Sequence, residues 1–193
     1  MPTTVASKRK KDNITLGSGH VYMAAYTGTV PATLEAVKAL CTDTNLLGHI
    51  KGGAELAYSE ETYEEKDDFG IVRKIITTDE EATMKMGLIT WNGASLSQLI
   101  DRCTTEDDTA NGVRITKIGG AGNAKGGYYV VVFHHEDKTD GDLWAVIVGR
   151  NTAGATLTFA MDSGTQVEPE FKAIPHDEDG TLIELFEEIG QAA

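Results

Sequence analysis

Residues 47–74 read LGHIKGGAELAYSEETYEEKDDFGIVRK, and this stretch decides how the chain is interpreted. A glycine-marked strand is predicted from Ile50 to Tyr58, and a β-branched strand is predicted from Ile71 to Ile76. Hairpin connections usually contain two to five residues. The predicted loop between them, residues 59–70, is longer than this, which indicates that the loop has a role of its own.

The predicted loop is strongly acidic. After Ser59, its charged residues are Glu60, Glu61, Glu64, Glu65, Lys66, Asp67 and Asp68. Tyr63 and Phe69 add aromatic surface that a purely solvated loop does not need. Such a loop is either disordered or ordered by a partner. The second interpretation predicts an assembly protein whose contact loop contains all of these residues.

Length and charge narrow the class of protein. The chain has 193 residues, which predicts a single domain over 13–193 preceded by a basic arm over 1–12. The net charge of −13 repels nucleic acid phosphates and argues against a conventional DNA- or RNA-binding module. A protein that stays near DNA without adhering to it remains compatible with this charge.

Targeting and redox signals are sparse. Cys41 and Cys103 form no CxxC motif, so they are expected to be reduced thiols. No apolar run approaches the roughly 18 residues of a membrane helix, and no secretory signal is recognised. The chain is therefore expected to be soluble and cytoplasmic when made.

The N-terminal arm carries Lys8, Arg9, Lys10 and Lys11. It is either a frayed terminus or a segment that contacts the acidic surface of a neighbouring subunit. Opposite charge favours the second interpretation only weakly.

The first half of the chain mixes strands and short helices. A strand is predicted within Ile14–Tyr26 and an amphipathic helix within Ala32–Cys41. Another strand is predicted over Ala82–Trp91. A second short helix follows, capped by Asn92 or Ser95, with Leu96, Leu99, Ile100 and Cys103 on one face. Residues 104–111 look like an acidic turn.

The second half predicts strands only. Five runs are separated by turn residues: Val113–Ile118, Tyr128–His134, Leu143–Val148, Ala155–Met161 and Val167–Ile174. The second and third runs are apolar on both faces, so they are expected to be central. The acidic tail, Asp177–Glu188, contains apolar residues and is expected to dock. The predicted fold class is mainly β, sandwich-like or barrel-like, with one short flanking helix.

No residue set predicts catalysis. His134 and His135 are adjacent on a strand and should point to opposite faces, one buried or interfacial and one exposed. Gly119–Gly127 lacks the GK[ST] of a phosphate loop, and no GxSxG elbow is present. Asp177, Glu178 and Asp179 lack the EF-hand pattern. We therefore expect no enzyme, and no catalytic, cofactor or metal residues.

Three motifs together resemble the tail tube (major tail) proteins of long-tailed bacteriophages. They are LGxIKGGAELxYxxETYEEKDDFG, EEATMKMGLITWN with its short helix, and EPEFKAIPHDEDGTL. Their order and spacing carry the likeness over roughly residues 14–186. Neither the N-terminus nor GGAGNAKGG is matched.

The resemblance implies a β-sandwich-like subunit that self-assembles into hexameric rings, which stack into a hollow tube for DNA ejection. The loop over residues 59–70 would reach a neighbouring ring. Implied partners are other copies of the chain and the tail-tip initiator, tape measure and tail terminator proteins. The subunit would be assembled in the host cytoplasm and reside in the virion tail.

A tube for DNA favours acidic walls, because basic side chains would grip the phosphates. Glu55, Thr77 and Asp79 are the candidate lumen-facing residues. Tubes of contractile tails, tailocins and type VI-like secretion share the implied fold, so the tail type stays open. A β-sandwich adhesin or other binding module is the alternative from a different class. Trp91 and Trp144 lie in apolar runs and are expected to be core residues rather than a glycan platform.

Overall fold

The computed structural model describes residues 14–162 and 164–189. The chain is mainly β with antiparallel sheets, as predicted, and both short helices predicted along the sequence are present. The helices are α1 (Leu34–Leu40) and α2 (Gly93–Leu99), and a 3-10 turn covers Ala121–Asn123. The strands are β1 (His20–Ala25), β2 (Leu46–Gly48), β3 (Ile50–Lys66), β4 (Arg73–Leu88), β5 (Cys103–Asp108), β6 (Val113–Ile118), β7 (Tyr129–His135), β8 (Leu143–Asn151), β9 (Glu170–Ala173) and β10 (Ile183–Glu187).

Strands β7 and β8 form the centre of the main sheet, as their two apolar faces predicted. The sheet order is β2-β1-β7-β8-β9-β4-β3, and β10 also pairs with β8. Val130, Val132 and Trp144 point to one face and pack with α1 through Val37. Val131 and its odd-numbered neighbours point to the opposite face, so both sides of these strands are dry.

The main sheet is rolled rather than flat. Its first and last strands, β2 and β3, are separated along the chain by His49 alone, so the two edges of the sheet meet there. The larger apolar cluster joins residues of β1, β4, β7, β8 and β9 with Leu96 and Leu99 of α2. A sheet can place five strands around one cluster only if it curls around that cluster.

Gly48 is required where the two edges meet. Its φ is +154°, and a Cβ at this position would lie 2.4 Å from the carbonyl oxygen of Thr90. Any side chain would therefore push the end of β2 away from the chain that follows β4.

The second helix begins after Asn92, one of its two predicted caps, and the first begins at Leu34, within the predicted range. Thr33 accepts a hydrogen bond from the backbone N–H of Ala36, and Asn92 accepts one from Ser95 at 3.0 Å. These side chains satisfy N–H groups that the first helical turn leaves free. The second helix is shorter than its apolar face suggested, since Cys103 already belongs to β5.

Two expectations about the second half of the chain are wrong. Residues 104–108 are not a turn, because β5 pairs with β6 from Cys103 to Asp108. Residues 155–161 alternate like a strand but form none, and Phe159 and Met161 are exposed. The nearby edge of β4 is already occupied by Val167 and β9, so residues 155–161 have no strand partner within the described chain.

Strands β9 and β10 are two parts of one interrupted strand. Both run antiparallel to β8: β9 pairs from Asn151 to Gly149, and β10 pairs from Ile147 to Leu143. Residues 175–182 leave the sheet between them, and a hydrogen bond from His176 N–H to the Thr181 carbonyl closes this excursion. The acidic tail therefore docks on the sheet, as predicted.

Candidate assembly surface

The most prominent surface feature is a long hairpin, here called the arm and defined as residues 59–79 of β3, its turn and β4. The pairing of β3 with β4 continues to Lys66 opposite Arg73. Only the residues between that pair form a turn, so the prediction of a loop over residues 59–70 is wrong. The predicted contact residues from Ser59 to Lys66 lie on a strand, whereas Asp67, Asp68 and Phe69 lie in the turn.

Local chemistry explains why the hairpin forms despite its acidic charge. Isoleucine and threonine residues on β4 favour strand geometry, and Glu64 lies 3.6 Å from Arg73 across the ladder. In the turn, the Asp67 N–H donates to the Val72 carbonyl at 3.0 Å, and the Asp67 carboxylate accepts a hydrogen bond from the Val72 N–H at 2.8 Å. Gly70 adopts a φ of +69°, which favours glycine in a tight turn.

The arm extends well beyond the body of the protein. The strand from Ser59 to Lys66 spans about 27 Å at ~3.4 Å per residue. Every residue from Glu55 to Glu81 is exposed, so the arm adds nothing to the core. Large apolar side chains nevertheless line it: Tyr63, Phe69, Ile71, Val72, Ile75 and Ile76. Apolar surface gathered on a projecting hairpin is typical of a contact site.

A β-bulge in the arm separates the residues that were predicted to face a lumen. The register changes between Glu61, which pairs with Asp79, and Thr62, which pairs with Thr77, so Thr78 is the extra residue. Asp79 and Glu55 share the face turned away from the core. Thr77 lies on the opposite face, where its hydroxyl approaches Glu60. The three candidates therefore do not share one face of the hairpin.

Tyrosine–carboxylate pairs lie along both faces of the hairpin. The Tyr58 hydroxyl donates to Glu80 and is also 3.0 Å from Glu60. Hydrogen bonding to Glu80 raises the pKa of Tyr58, because the phenolate would lie beside carboxylates. The hydrogen bond to Glu65 likewise raises the pKa of Tyr63. Both tyrosines therefore remain neutral donors at physiological pH.

The free edge of β3 is the second feature of this surface. β3 pairs with β4 alone within the described chain, so its other edge carries backbone groups along 17 residues without a strand partner. Unpaired edges are ready to pair with another chain. The bulge at residues 51–53 and the acidic side chains restrict which chains can add there.

The remaining predicted residues contribute less to this surface. Lys8, Arg9, Lys10 and Lys11 lie outside the described residues. Cys41 and Cys103 are free thiols, as expected. Trp144 is buried and Trp91 is partly buried against the core, which confirms that they are core residues.

The adjacent histidines do point to opposite faces, but neither is exposed. His135 is 2% exposed, and its Nδ1 lies 2.8 Å from the Ser18 carbonyl. His134 stacks on Trp144 with 4.6 Å between ring centroids. The expectation of one exposed histidine is wrong, because Trp144 shields His134.

No protein-family model matches the sequence, and no curated protein is similar to it. Among the described residues, no helix is long and apolar enough to cross a membrane.

Proposed function

We propose that this chain is a structural subunit of a bacteriophage tail tube. Many copies would close into rings, hexameric as in the proteins that the sequence resembles, and the rings would stack into a hollow tube for DNA. The three sequence motifs and the mainly β fold support this role. The arm suits equally the tube of a contractile tail, a tailocin or a type VI-like apparatus.

The arm is the observation that carries the proposal. An isolated two-stranded hairpin is marginally stable in water, and this one exposes Phe69, Ile71 and Val72 at its end. Apolar residues at the end of a projecting hairpin gain burial only from another molecule. A neighbouring ring supplies that surface in every subunit of a tube, except at its ends.

The charge of the chain suits passage of DNA. A net charge of −13 disfavours tight binding to phosphates, so a duplex can slide through the bore. Glu55 and Asp79 share one face and remain the better candidates for the lumen wall. Thr77 is the weaker candidate because it lies on the opposite face. The proposed partners are other copies of the chain, a tail-tip initiator, a tape measure protein and a tail terminator.

An arm-shortened variant tests the proposal. Removing Ser59–Asp68 alone would leave half of a hairpin, so both strands must be shortened together. Residues 60–80 are replaced by Asn-Gly, which joins the paired residues Ser59 and Glu81 through a two-residue turn. The ion pair between Glu81 and Lys172 is retained. The variant is expected to fold as a monomer and to form no tubes in negative-stain electron microscopy.

A matched control keeps the hairpin and changes charge elsewhere. Lys117→Gln alters an exposed pair with Glu106 on β5–β6 and is expected to assemble like the wild type. Tubes of normal length from the arm-shortened variant would refute the role of the arm. Failure of the wild type to form any ring or filament, alone or with a tail-tip initiator, would refute the proposed function.

A further inference from the structure

The sequence contains two asparagine–glycine pairs, and the structure places them in different surroundings. Asn92 and Gly93 lie at the start of α2, whereas Asn111 and Gly112 lie in the turn between β5 and β6. Asparagine is one of the thermolabile residues. A following glycine favours loss of the side-chain amide, because glycine has no Cβ to block the approach of its backbone nitrogen to the asparagine Cγ. The folded structure then decides which of the two pairs can react.

The pair in the β5–β6 turn is open to solvent. The ladder of these two strands ends with Asp108 opposite Val113, so residues 109–112 form the turn. Asn111 and Gly112 are both exposed. A Cβ built on Gly112 would meet no atom within 4 Å, so no neighbouring group restricts the movement of this peptide.

Only Asp108 holds the Asn111 side chain. The amide nitrogen of Asn111 donates to the Asp108 carboxylate at 2.8 Å, and the backbone N–H of Asn111 donates to the same carboxylate at 3.2 Å. Both hydrogen bonds are exposed, so water can replace them at little cost. Neither of them involves the backbone nitrogen of Gly112, which is the atom that attacks.

The pair at the start of α2 is fixed on several sides. The Asn92 side chain accepts a hydrogen bond from Ser95 N–H at 3.0 Å, and the Asn92 carbonyl accepts the first helical bond from Leu96 at 2.9 Å. The Gly93 carbonyl accepts a bond from the Thr105 hydroxyl at 2.9 Å, and a Cβ on Gly93 would lie 2.2 Å from a hydroxyl oxygen of β6. Attack of Gly93 nitrogen on Asn92 would turn this peptide away from its partners and break the helix cap.

We propose that Asn111 is a site of spontaneous modification that converts it to aspartate and isoaspartate, whereas folding protects Asn92. The backbone nitrogen of Gly112 loses its proton to hydroxide and bonds to Asn111 Cγ. The bond from Cγ to Nδ2 then breaks, and ammonia leaves with a proton from water. One water molecule opens the resulting succinimide ring. Opening at Cγ yields aspartate, whereas opening at the backbone carbonyl yields isoaspartate, in which the side-chain methylene becomes part of the main chain.

The conversion changes both the charge and the shape of the turn. It lowers the net charge of the chain from −13 to −14. The amide no longer donates to Asp108, and two carboxylates repel each other in its place. The ion pair between Asp107 and Arg114 lies below the turn and is expected to keep the strands paired. The end of this hairpin therefore becomes more acidic and less ordered with time, whether or not the chain forms tubes.

Peptide mapping of the full-length protein tests the proposal, because trypsin separates the two pairs. Cleavage after Lys85, Arg102 and Arg114 yields residues 86–102 with Asn92 and residues 103–114 with Asn111. Folded protein and protein unfolded in guanidinium are incubated in mildly alkaline buffer, digested under mildly acidic conditions and analysed by mass spectrometry.

The two peptides should differ only when the protein is folded. In the folded protein, residues 103–114 should lose the amide at least about tenfold faster than residues 86–102, because reaction at Asn92 breaks the cap and the first helical hydrogen bond. In the unfolded protein, the two rates should be similar. Isoaspartate, detected by enzymatic methylation of its carboxylate, should appear in residues 103–114 at the same time.

Two variants assign the modified residue. Asn111→Gln has a longer side chain that cannot close the five-membered ring, so residues 103–114 should then form no isoaspartate. The matched control, Asn92→Ser, retains a helix cap and should leave the rate at Asn111 unchanged. Equal rates for the two peptides in the folded protein would refute the proposal. It is also refuted if folding slows the reaction at Asn111 as strongly as at Asn92, or if isoaspartate persists in residues 103–114 of Asn111→Gln.

Discussion

The end of the arm offers the sharpest test of how the subunits associate. Phe69, Ile71 and Val72 are 88%, 82% and 68% exposed. We expect the triple variant Phe69→Ser, Ile71→Thr, Val72→Thr to fold normally, since exposed substitutions change the free energy of unfolding by only about 0.5 kcal/mol each. Gly70 and Asp67 are retained, so the turn keeps its hydrogen bonds.

The effect on assembly should be large. Complete burial of each of these side chains against a neighbour contributes about 1.5–3 kcal/mol. Ordering and incomplete contact reduce the sum, but a loss of about 3 kcal/mol per subunit still raises the critical concentration roughly 100-fold, because ~1.4 kcal/mol is a factor of ten.

Pelleting of tubes over a concentration series measures the critical concentration directly. Val113→Thr with Ile118→Thr is the matched control, since these residues of β6 are 53% and 58% exposed but lie away from the arm. The control should assemble near the wild-type concentration. A triple variant that assembles within twofold of the wild type would show that the end of the arm is not a contact.

Three further predictions concern the subunit itself. Phe171→Ala should lower the free energy of unfolding by about 3–5 kcal/mol in guanidinium melts, because Phe171 is fully buried; a loss below 1 kcal/mol would contradict its place in the core. Asn92→Ala should cost about 1 kcal/mol through the lost cap, whereas Ser97→Ala in the same helix should not. Burial raises the pKa of Cys41 to about 11, so alkylation should be slow at pH 8 and accelerate up to pH 11; rapid labelling at pH 7, followed by mass spectrometry, would refute this.

Periodicity predicted the centre of the fold. Two segments are apolar at every position, Tyr128–Phe133 and Leu143–Val148. Such a pattern is typical of a strand that is covered on both faces. The start of the second helix was also predictable, because Asn92 is a cap residue followed by an apolar face. Both predictions rest on residues that are close together in the sequence, and the tertiary contacts agree with them.

The hairpin of the arm is not evident from the sequence, because a run of acidic residues is also typical of a solvated loop. Glu64 reaches Arg73 diagonally across the ladder, since Arg73 pairs with Lys66, and this ion pair can be predicted only when the register is known. The same applies to Glu65 and Lys74, which pair along the ladder. An acidic segment that resembles a solvated loop by itself can form a strand when a second segment pairs with it.

Long-range geometry explains the other differences. Residues 155–161 have the alternating pattern of a strand but no free strand edge with which to pair. The sequence alone does not reveal which strand edges are already paired. An excursion after β9 returns the chain to the same edge of β8 and so brings Glu184 close to His176 and Asp177, which the sequence alone does not reveal.

Cryo-electron microscopy of the purified protein at high concentration tests the central claim most directly. The account predicts hollow cylinders of stacked rings in which residues 59–79 of each subunit lie against the adjacent ring, with acidic side chains on the bore. A protein that remains a 20.7 kDa monomer at every concentration, even when seeded with tail-tip complexes, would contradict it. Cylinders in which the arm projects free into solvent would contradict it too.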